Sequence, residues 1–370
     1  MLTKLIDLGY VGTGTTPSMK NPGYYDSDDI PFIKPSDIND NEVSKITKSV
    51  FFISNKARQK ARLFPKNTIL CVCIGSIGKI GITTKESSCN QQINYIIPND
   101  KHNAKFLAYS LLFRKDELIR IGSDGTVVPI INKSLFENIE IKTFDYDKET
   151  KIAGELDSIK ANIDLKLSII TELDELVKSQ FIEMFGDPIQ NEKAWDSSIL
   201  NEVTDVRDGT HDSPKYHDRG YPFVTSKNLI DGKIDFSTCQ LISEEDYLHF
   251  NDRSRIDDGD ILMPMIGTIG GAIIVKKDRE FSIKNVALLK FTKDNTKINR
   301  TFILYILNSD SMNNYFELTK KGGTQKFIAL GVIRNIPIIV PPIELQNEFA
   351  KFVNQIDKSK YFGGAEYGIC

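Results

Sequence analysis

The chain has 370 residues, 40% of them hydrophobic and 26% charged, so it is long enough for two ordinary domains with a core in each. A net charge of −3 and a pI near 5.9 do not advertise a globally basic nucleic-acid binder, although a local basic face would suffice for one. No apolar run approaches the ~18 residues of a membrane span and no signal-peptide core opens the chain; five cysteines (71, 73, 89, 239 and 370) show neither C-x-x-C nor paired zinc spacing, which points to buried free thiols in a reducing cytoplasm.

Residues 1–145 read as short strands separated by turn residues. The expected strands are Ile30–Ile33, Thr68–Ile74, Lys79–Thr84, Asn94–Pro98 and Ile139–Lys142, each apolar, β-branched or alternating and bordered by Gly, Pro, Asn or Asp. Residues 104–120 carry a helical pattern, which makes this a mixed α+β domain. From Asp147 to Phe185 there is no proline and only one internal glycine, Gly154. Apolar residues recur at Ile152, Leu156, Ile159, Ile163, Ile170, Leu173, Val177 and Phe181, a heptad-like seam with Lys166 in one core slot. Such a helix would be about 57 Å long, beyond an ordinary globular helix, and is expected to span between domains and pair with another helix. Gly186-Asp187-Pro188 ends it.

Residues 197–340 repeat the α+β pattern, and Pro341-Pro342-Ile343-Glu344 opens a second helix with Leu345, Phe349, Phe352, Val353 and Ile356 on its apolar side. This helix fades at Lys358-Ser359-Lys360; Tyr361-Phe362-Gly363-Gly364 reads as a breaker, and the residues to Cys370 carry no helical pattern. It has room for only about two heptads.

The two halves echo one another in order. Gly75-Ser76-Ile77-Gly78 answers Gly267-Thr268-Ile269-Gly270, each behind an apolar run. Gly14-Thr15-Thr16-Pro17 answers Gly209-Thr210 with Pro214 beyond, Pro31-Phe32-Ile33 answers Pro222-Phe223-Val224, and Asn138-Ile139-Glu140-Ile141 answers Asn335-Ile336-Pro337-Ile338. The offset stays at about 190–200 residues, too long for a solenoid, and means two similar domains, each followed by a long helix.

Catalytic patterns dissolve on inspection. Asn21-Pro22-Gly23-Tyr24 has Gly where an amino-methyltransferase motif needs its second Pro, and Gly12-x-Gly14 ends in Pro17. Glu140-x-Lys142, with Asp124 upstream, lacks the Pro-Asp of a nuclease site, and His211 stands where the first copy has Thr16. Four histidines lie at no metal spacing. The remaining features suit binding: small-residue loops between strands allow close backbone approach. Basic residues gather at Lys56, Arg58, Lys60 and Arg62, at Arg253 and Arg255, and at Lys276, Lys277, Lys284, Lys320, Lys321 and Lys326, suited to phosphates. Asn90-Gln91-Gln92 is an unusual polar run entering a strand, and Asn and Gln suit base edges in the major groove.

In their order these elements resemble the specificity subunit of type I restriction–modification systems over about residues 4–358. The matching pieces are Gly14-Thr15-x-Pro17, Phe32-Ile33-Lys34 with Asp37-Ile38, the two Gly-[Ser/Thr]-Ile-Gly loops, Asn90-Gln91-Gln92-Ile93, the Phe181-to-Pro188 helix end, and Pro341-Pro342-Ile343 with Gln346. The resemblance implies an α+β fold of two target-recognition domains (1–146 and 189–340). It implies a central long helix (147–188) and a short C-terminal one (341–360), pairing as an antiparallel coiled coil, with an atypical tail (361–370). It implies a non-catalytic, cytoplasmic DNA-recognition subunit. Each domain would read one half of a bipartite double-stranded target, and the helices would set the spacer and dock two methyltransferase subunits that bring AdoMet. Restriction subunits join in a fuller complex. The residues expected at DNA are Thr15, Lys34, Ser36, Lys56, Arg58, Ser76, Lys79, Gln91 and Gln92 in the first domain. In the second they are Thr210, His211, Thr225, Lys227, Arg253, Thr268, Lys284 and Lys326. No catalytic or metal-ligating residue and no cofactor of the chain's own are expected; the alternative is a two-domain protein-binding scaffold.

Overall fold

A computed structural model describes residues 1–123, 128–267, 269–291, 296–322 and 326–365. The chain divides into two compact units, Met1–Asp164 and the remainder from Leu165, each taken by itself below.

In the first unit a five-stranded sheet runs in the order Gly9–Thr13, Ile93–Pro98, Ile69–Val72, Ile80–Thr83, Val43–Ile46. A four-stranded sheet adds Phe52–Ile53, Ile30–Ile33, Ser87–Cys89 and Leu63–Phe64. Most pairs are antiparallel; Ile30–Ile33 with Ser87–Cys89, and Val43–Ile46 with Ile80–Thr83, are parallel. The central strands are buried on both faces, as their continuous apolar runs require. Each expected strand appears within a few residues of its limits. The expected single helix over 104–120 is two, Ala104–Phe113 and Lys115–Ser123, the first started by the Asn103 side chain, which accepts from the Lys105 and Phe106 amides. A two-stranded pair, Leu2–Lys4 with Glu140–Lys142, closes the domain.

The second unit repeats this plan more loosely. Its four-stranded sheet has the order Asp205–Asp208, Val286–Lys290, Ile261–Pro264, Ile273–Ile274, and a three-stranded sheet has Gln240–Ile242, Tyr221–Thr225, Ser282–Lys284. One of the two parallel pairs recurs, Tyr221–Thr225 with Ser282–Lys284, and Ser197–Ile199 with Pro337–Ile339 closes the domain. The likeness reaches single side chains. Fully buried Glu149 accepts from the amides of Asn103 (2.9 Å) and Phe144 (3.2 Å) and lies 3.0 Å from His102 Nδ1. Fully buried Gln346 accepts from the Asn299 amide (2.9 Å) and donates to the Pro341 (2.7 Å) and Lys297 (3.1 Å) carbonyls. Each side chain ties the first turn of its long helix to the shorter helix beside it.

The central helix spans Tyr146–Phe185, its first part belonging to one unit and the remainder to the other. Its expected seam is fully buried only at the two ends, with Leu156, Ile163, Ile170 and Leu173 half-buried between them and Ile159 exposed. Ala153 is buried in the first unit and Val177, Phe181 and Phe185 in the second, while no residue between Ala153 and Val177 is buried. Within the second unit the C-terminal helix, Ile343–Ala365, lies beside Val177–Phe185: Phe349 meets Phe181 (5.4 Å between centroids) and Phe185 (5.6 Å), and Lys360 pairs with Asp174. The contacts run in opposite order along the two helices. This helix corrects one expectation, since it continues past Lys360 through Gly363 and Gly364 to Ala365. Two glycines weaken a helix by about 1 kcal/mol each but do not stop it as proline does. Residues 366–370, in the expected tail, lie outside the described residues, as does Asp124. Among the described residues no helix is long and apolar enough to cross a membrane.

Candidate functional site

In each unit the loop after the first long strand meets the turn that enters the last. In the first unit the Thr15 amide donates to Cys89 O (2.9 Å), and Thr16 Oγ1 donates to Gln91 Oε1 (2.6 Å). In the second, the Thr210 amide donates to Ile283 O (3.1 Å), and His211 Nδ1 lies 2.6 Å from Asn285 Oδ1. His211 Nε2 is 3.1 Å from Asp208 Oδ2, and the buried Asp208 carboxylate also accepts from Arg253. His211 is thus a brace between two loops, with the role Thr16 has in the first unit.

A second shared feature flanks this one. A tight 3₁₀ turn follows the strand Ile30–Ile33 and another follows Tyr221–Thr225. Asp37 accepts from the Lys34 amide (2.8 Å) and Asn228 from the Thr225 amide (2.9 Å), so Lys34 and Thr225 occupy one structural position. Asp37 also accepts from Ser49 Oγ (3.2 Å) and the Val50 amide (3.2 Å), and the Lys34 ammonium sits 3.1 Å from the Phe51 ring centroid.

The third feature is the glycine loop. Gly75 and Gly78 have φ of +77° and +87°, and Gly267 and Gly270 have +79° and +87°, left-handed values that favour glycine. The Gly75 amide donates to Pro129 O (3.3 Å) and the Gly267 amide to Lys326 O (3.0 Å), so each loop is strapped by the same later segment.

In the second unit these features enclose an open cavity of ≈ 700 Å³ lined by Tyr216, Thr225, Lys227, Gln240, Lys284 and Asn285, among others, with Gly267 at its edge. Lys284 Nζ donates to Ser213 Oγ (2.6 Å) across the loop. Of the residues singled out here, Thr225, Lys227 and Lys284 line the cavity, Thr210, His211 and Arg253 brace its wall, and Lys326 adjoins Gly267. Thr268 lies outside the described residues.

In the first unit the Thr15 amide meets Cys89 O at the start of the turn that carries Gln91 and Gln92, and Lys34 adjoins that turn where the Asn90 amide donates to Ile33 O (3.2 Å). Ser36 is exposed on the 3₁₀ turn, and Ser76 and half-buried Lys79 lie in the glycine loop. Lys56 and Arg58 are not free cations: Lys56 pairs with Asp26 (2.6 Å), which it holds below the usual carboxylate range, and Arg58 pairs with Glu86 (2.7 Å). Exposed pairs of this kind are weak, so a phosphate can replace the carboxylate at little cost. Sequence reasoning missed Asp208, Tyr216, Gln240 and Asn285. Asn285 carried a signal, because it stands at the same turn as Gln91, one residue before the strand where the first unit has Gln92 as well.

The model of the type I restriction modification DNA specificity domain matches the chain twice, over residues 1–175 and 192–361. The type I restriction enzyme MjaIX specificity subunit of Methanocaldococcus jannaschii is 27% identical over a 393-residue alignment that covers 95% of this chain and 85% of that protein. The HindI specificity subunit of Haemophilus influenzae is 36% identical over 145 residues, 38% of this chain and 30% of that protein. Two solved structures share the fold. The type I S subunit from M. genitalium has a TM-score of 0.55 at 15% identity, covering 99% of this chain and 91% of that one. A chain from work on complex assembly and conformational transition of the type I R-M system has a TM-score of 0.62 at 16% identity, covering 99% and 93%.

Proposed function

The chain belongs to the type I restriction–modification DNA specificity family, and on that premise we propose that it is the non-catalytic, cytoplasmic recognition subunit of such a system, each domain reading one half of a bipartite double-stranded DNA target. The observation that carries this reading is the cavity of the second unit, where Thr225, Lys227 and Lys284 gather beside Asn285 and Gln240. Lysines there meet phosphates or guanine edges, and hydroxyls and carboxamides meet base edges. The first unit offers the corresponding set, Thr15, Lys34, Ser36, Ser76, Lys79, Gln91 and Gln92, with Lys56 and Arg58 for phosphates. The second adds Thr210, His211, Arg253, Thr268 and Lys326. Because these loops differ in sequence between the domains, the two half-sites differ.

The domains correspond to residues 1–146 and 189–340, joined by the central helix 147–188 and followed by the C-terminal helix. The helices pair as an antiparallel coiled coil and fix the spacer between half-sites. They also dock two methyltransferase subunits, which bind AdoMet and modify adenine, with restriction subunits joining to cut unmodified DNA. Leu165 (59% exposed), Ile169 and Leu176 support the docking role, since they share one face of the helix and offer an uncovered apolar stripe to partner helices.

The test is binding of the chain, assembled with its methyltransferase, to DNA carrying the target found by mapping adenine methylation. Lys79→Ala with Gln91→Ala should abolish preference at one half-site and spare the other. Equal loss at both would contradict one domain per half-site, and sequence-blind binding at high salt, where the phosphate contribution is suppressed, would favour a protein-binding scaffold.

A further inference from the structure

The turn before Ile93–Pro98 and its counterpart before Val286–Lys290 each hold one carboxamide with a side-chain partner on the loop that follows the first long strand. In the first unit that partner is the Thr16 hydroxyl, which donates to Gln91 Oε1 at 2.6 Å; in the second it is His211 Nδ1, 2.6 Å from Asn285 Oδ1. The side chains at all four positions differ between the domains, yet the interaction is retained. Asn285 has φ +53°, a left-handed turn that Asn tolerates better than most residues, and its side chain lines the open cavity beside Lys284 and Thr225. His211 is itself held, through Nε2, against Asp208, which Arg253 fixes in turn. A carboxamide with both ends free presents a donor and an acceptor and matches adenine. One braced by a neighbouring side chain is fixed in direction and offers its remaining hydrogen-bonding capacity to one base edge.

Resting on the DNA-reading role above, we infer that Asn285 and Gln91 are specificity-determining residues, one for each half-site, and that His211 and Thr16 are their positioning residues. Nothing in this assignment requires either brace to touch DNA.

The experiment uses the chain assembled with its methyltransferase and duplexes of the mapped target in which each base pair of both half-sites is replaced in turn. Asn285→Ala is expected to lower discrimination at a single base pair of one half-site about tenfold or more, leaving every other position unchanged. Gln91→Ala does the same in the other half-site. His211→Ala weakens discrimination at the pair affected by Asn285→Ala and adds nothing in the Asn285→Ala background. His211→Asn, whose amide can donate from the place of Nδ1, restores it. Melting temperatures identify the variants that fold, and Asn285→Ser serves if Asn285→Ala does not. The inference is overturned if Asn285→Ala leaves every position unchanged, or if it weakens all duplexes alike as a lost phosphate contact would. A wild-type complex without any sequence preference would instead remove the functional reading on which the inference stands.

Discussion

Glu149 and Gln346 hold the same post in the two domains, and only the first carries a carboxylate. Glu149→Gln should therefore keep the first unit folded with a loss of about 1 kcal/mol, whereas Glu149→Ala strands buried amides of Asn103 and Phe144 and should cost about 2–4 kcal/mol. Thermal melting reads the difference, and equal losses would deny Glu149 its anchoring role. The thiols make a second test at this scale. Contact with Cys73 together with burial raises the Cys71 thiol, burial raises that of Cys89, and burial with the Asp235 charge pushes half-buried Cys239 to about 11. A raised thiol stays neutral until the pH climbs through its own value. In a Cys370→Ser background the folded chain should resist a thiolate-selective reagent at pH 8, and Cys239 should begin to react as the pH approaches 11; rapid labelling of Cys71 or Cys89 at pH 8 would contradict the fold. Legibility at this scale was uneven. The glycine loops and Asn90-Gln91-Gln92 were readable because turns need particular residue types. The pairing of Lys56 with Asp26 and of Arg58 with Glu86 was not, because only the folded chain brings those positions together.

The central helix is the element most plainly written in the sequence. Its freedom from proline and its apolar period gave its limits to within a residue at either end, Tyr146 and Phe185. The seam was less legible. Its periodicity predicts a buried stripe throughout, but burial depends on what lies opposite, and full burial is found only at Ala153 and from Val177 onward, the seam between being half-buried except at Ile159. Phe185, fully buried against Phe302 and Phe349 (ring centroids at 4.7 and 5.6 Å), is the strongest of these anchors. Phe185→Ala should destabilise the second unit by about 3–5 kcal/mol, read by denaturant unfolding; a loss below about 1 kcal/mol would mean the helix end is not part of that core. If the helix is the ruler, adding one turn within its middle, about 5.4 Å, should lengthen the spacer by one or two base pairs. Methylation mapping of the lengthened protein reads that directly, and an unchanged spacer would remove the ruler.

At the scale of the whole molecule, two domains with the same ties at the same places carry different side chains where their loops converge. Thr16 with Gln91 becomes His211 with Asn285, and Lys34 becomes Thr225, while the strands and helix anchors persist. That pattern is expected of one scaffold used to make two different choices, and it is why the account places recognition in the loops and distance in the helix. The most direct test is to select, from random double-stranded DNA at high salt, the sequences retained by the chain with its methyltransferase. The account predicts one split motif, with two unlike halves separated by an unread spacer of constant length. A single continuous motif, two identical halves, or no enrichment would contradict it.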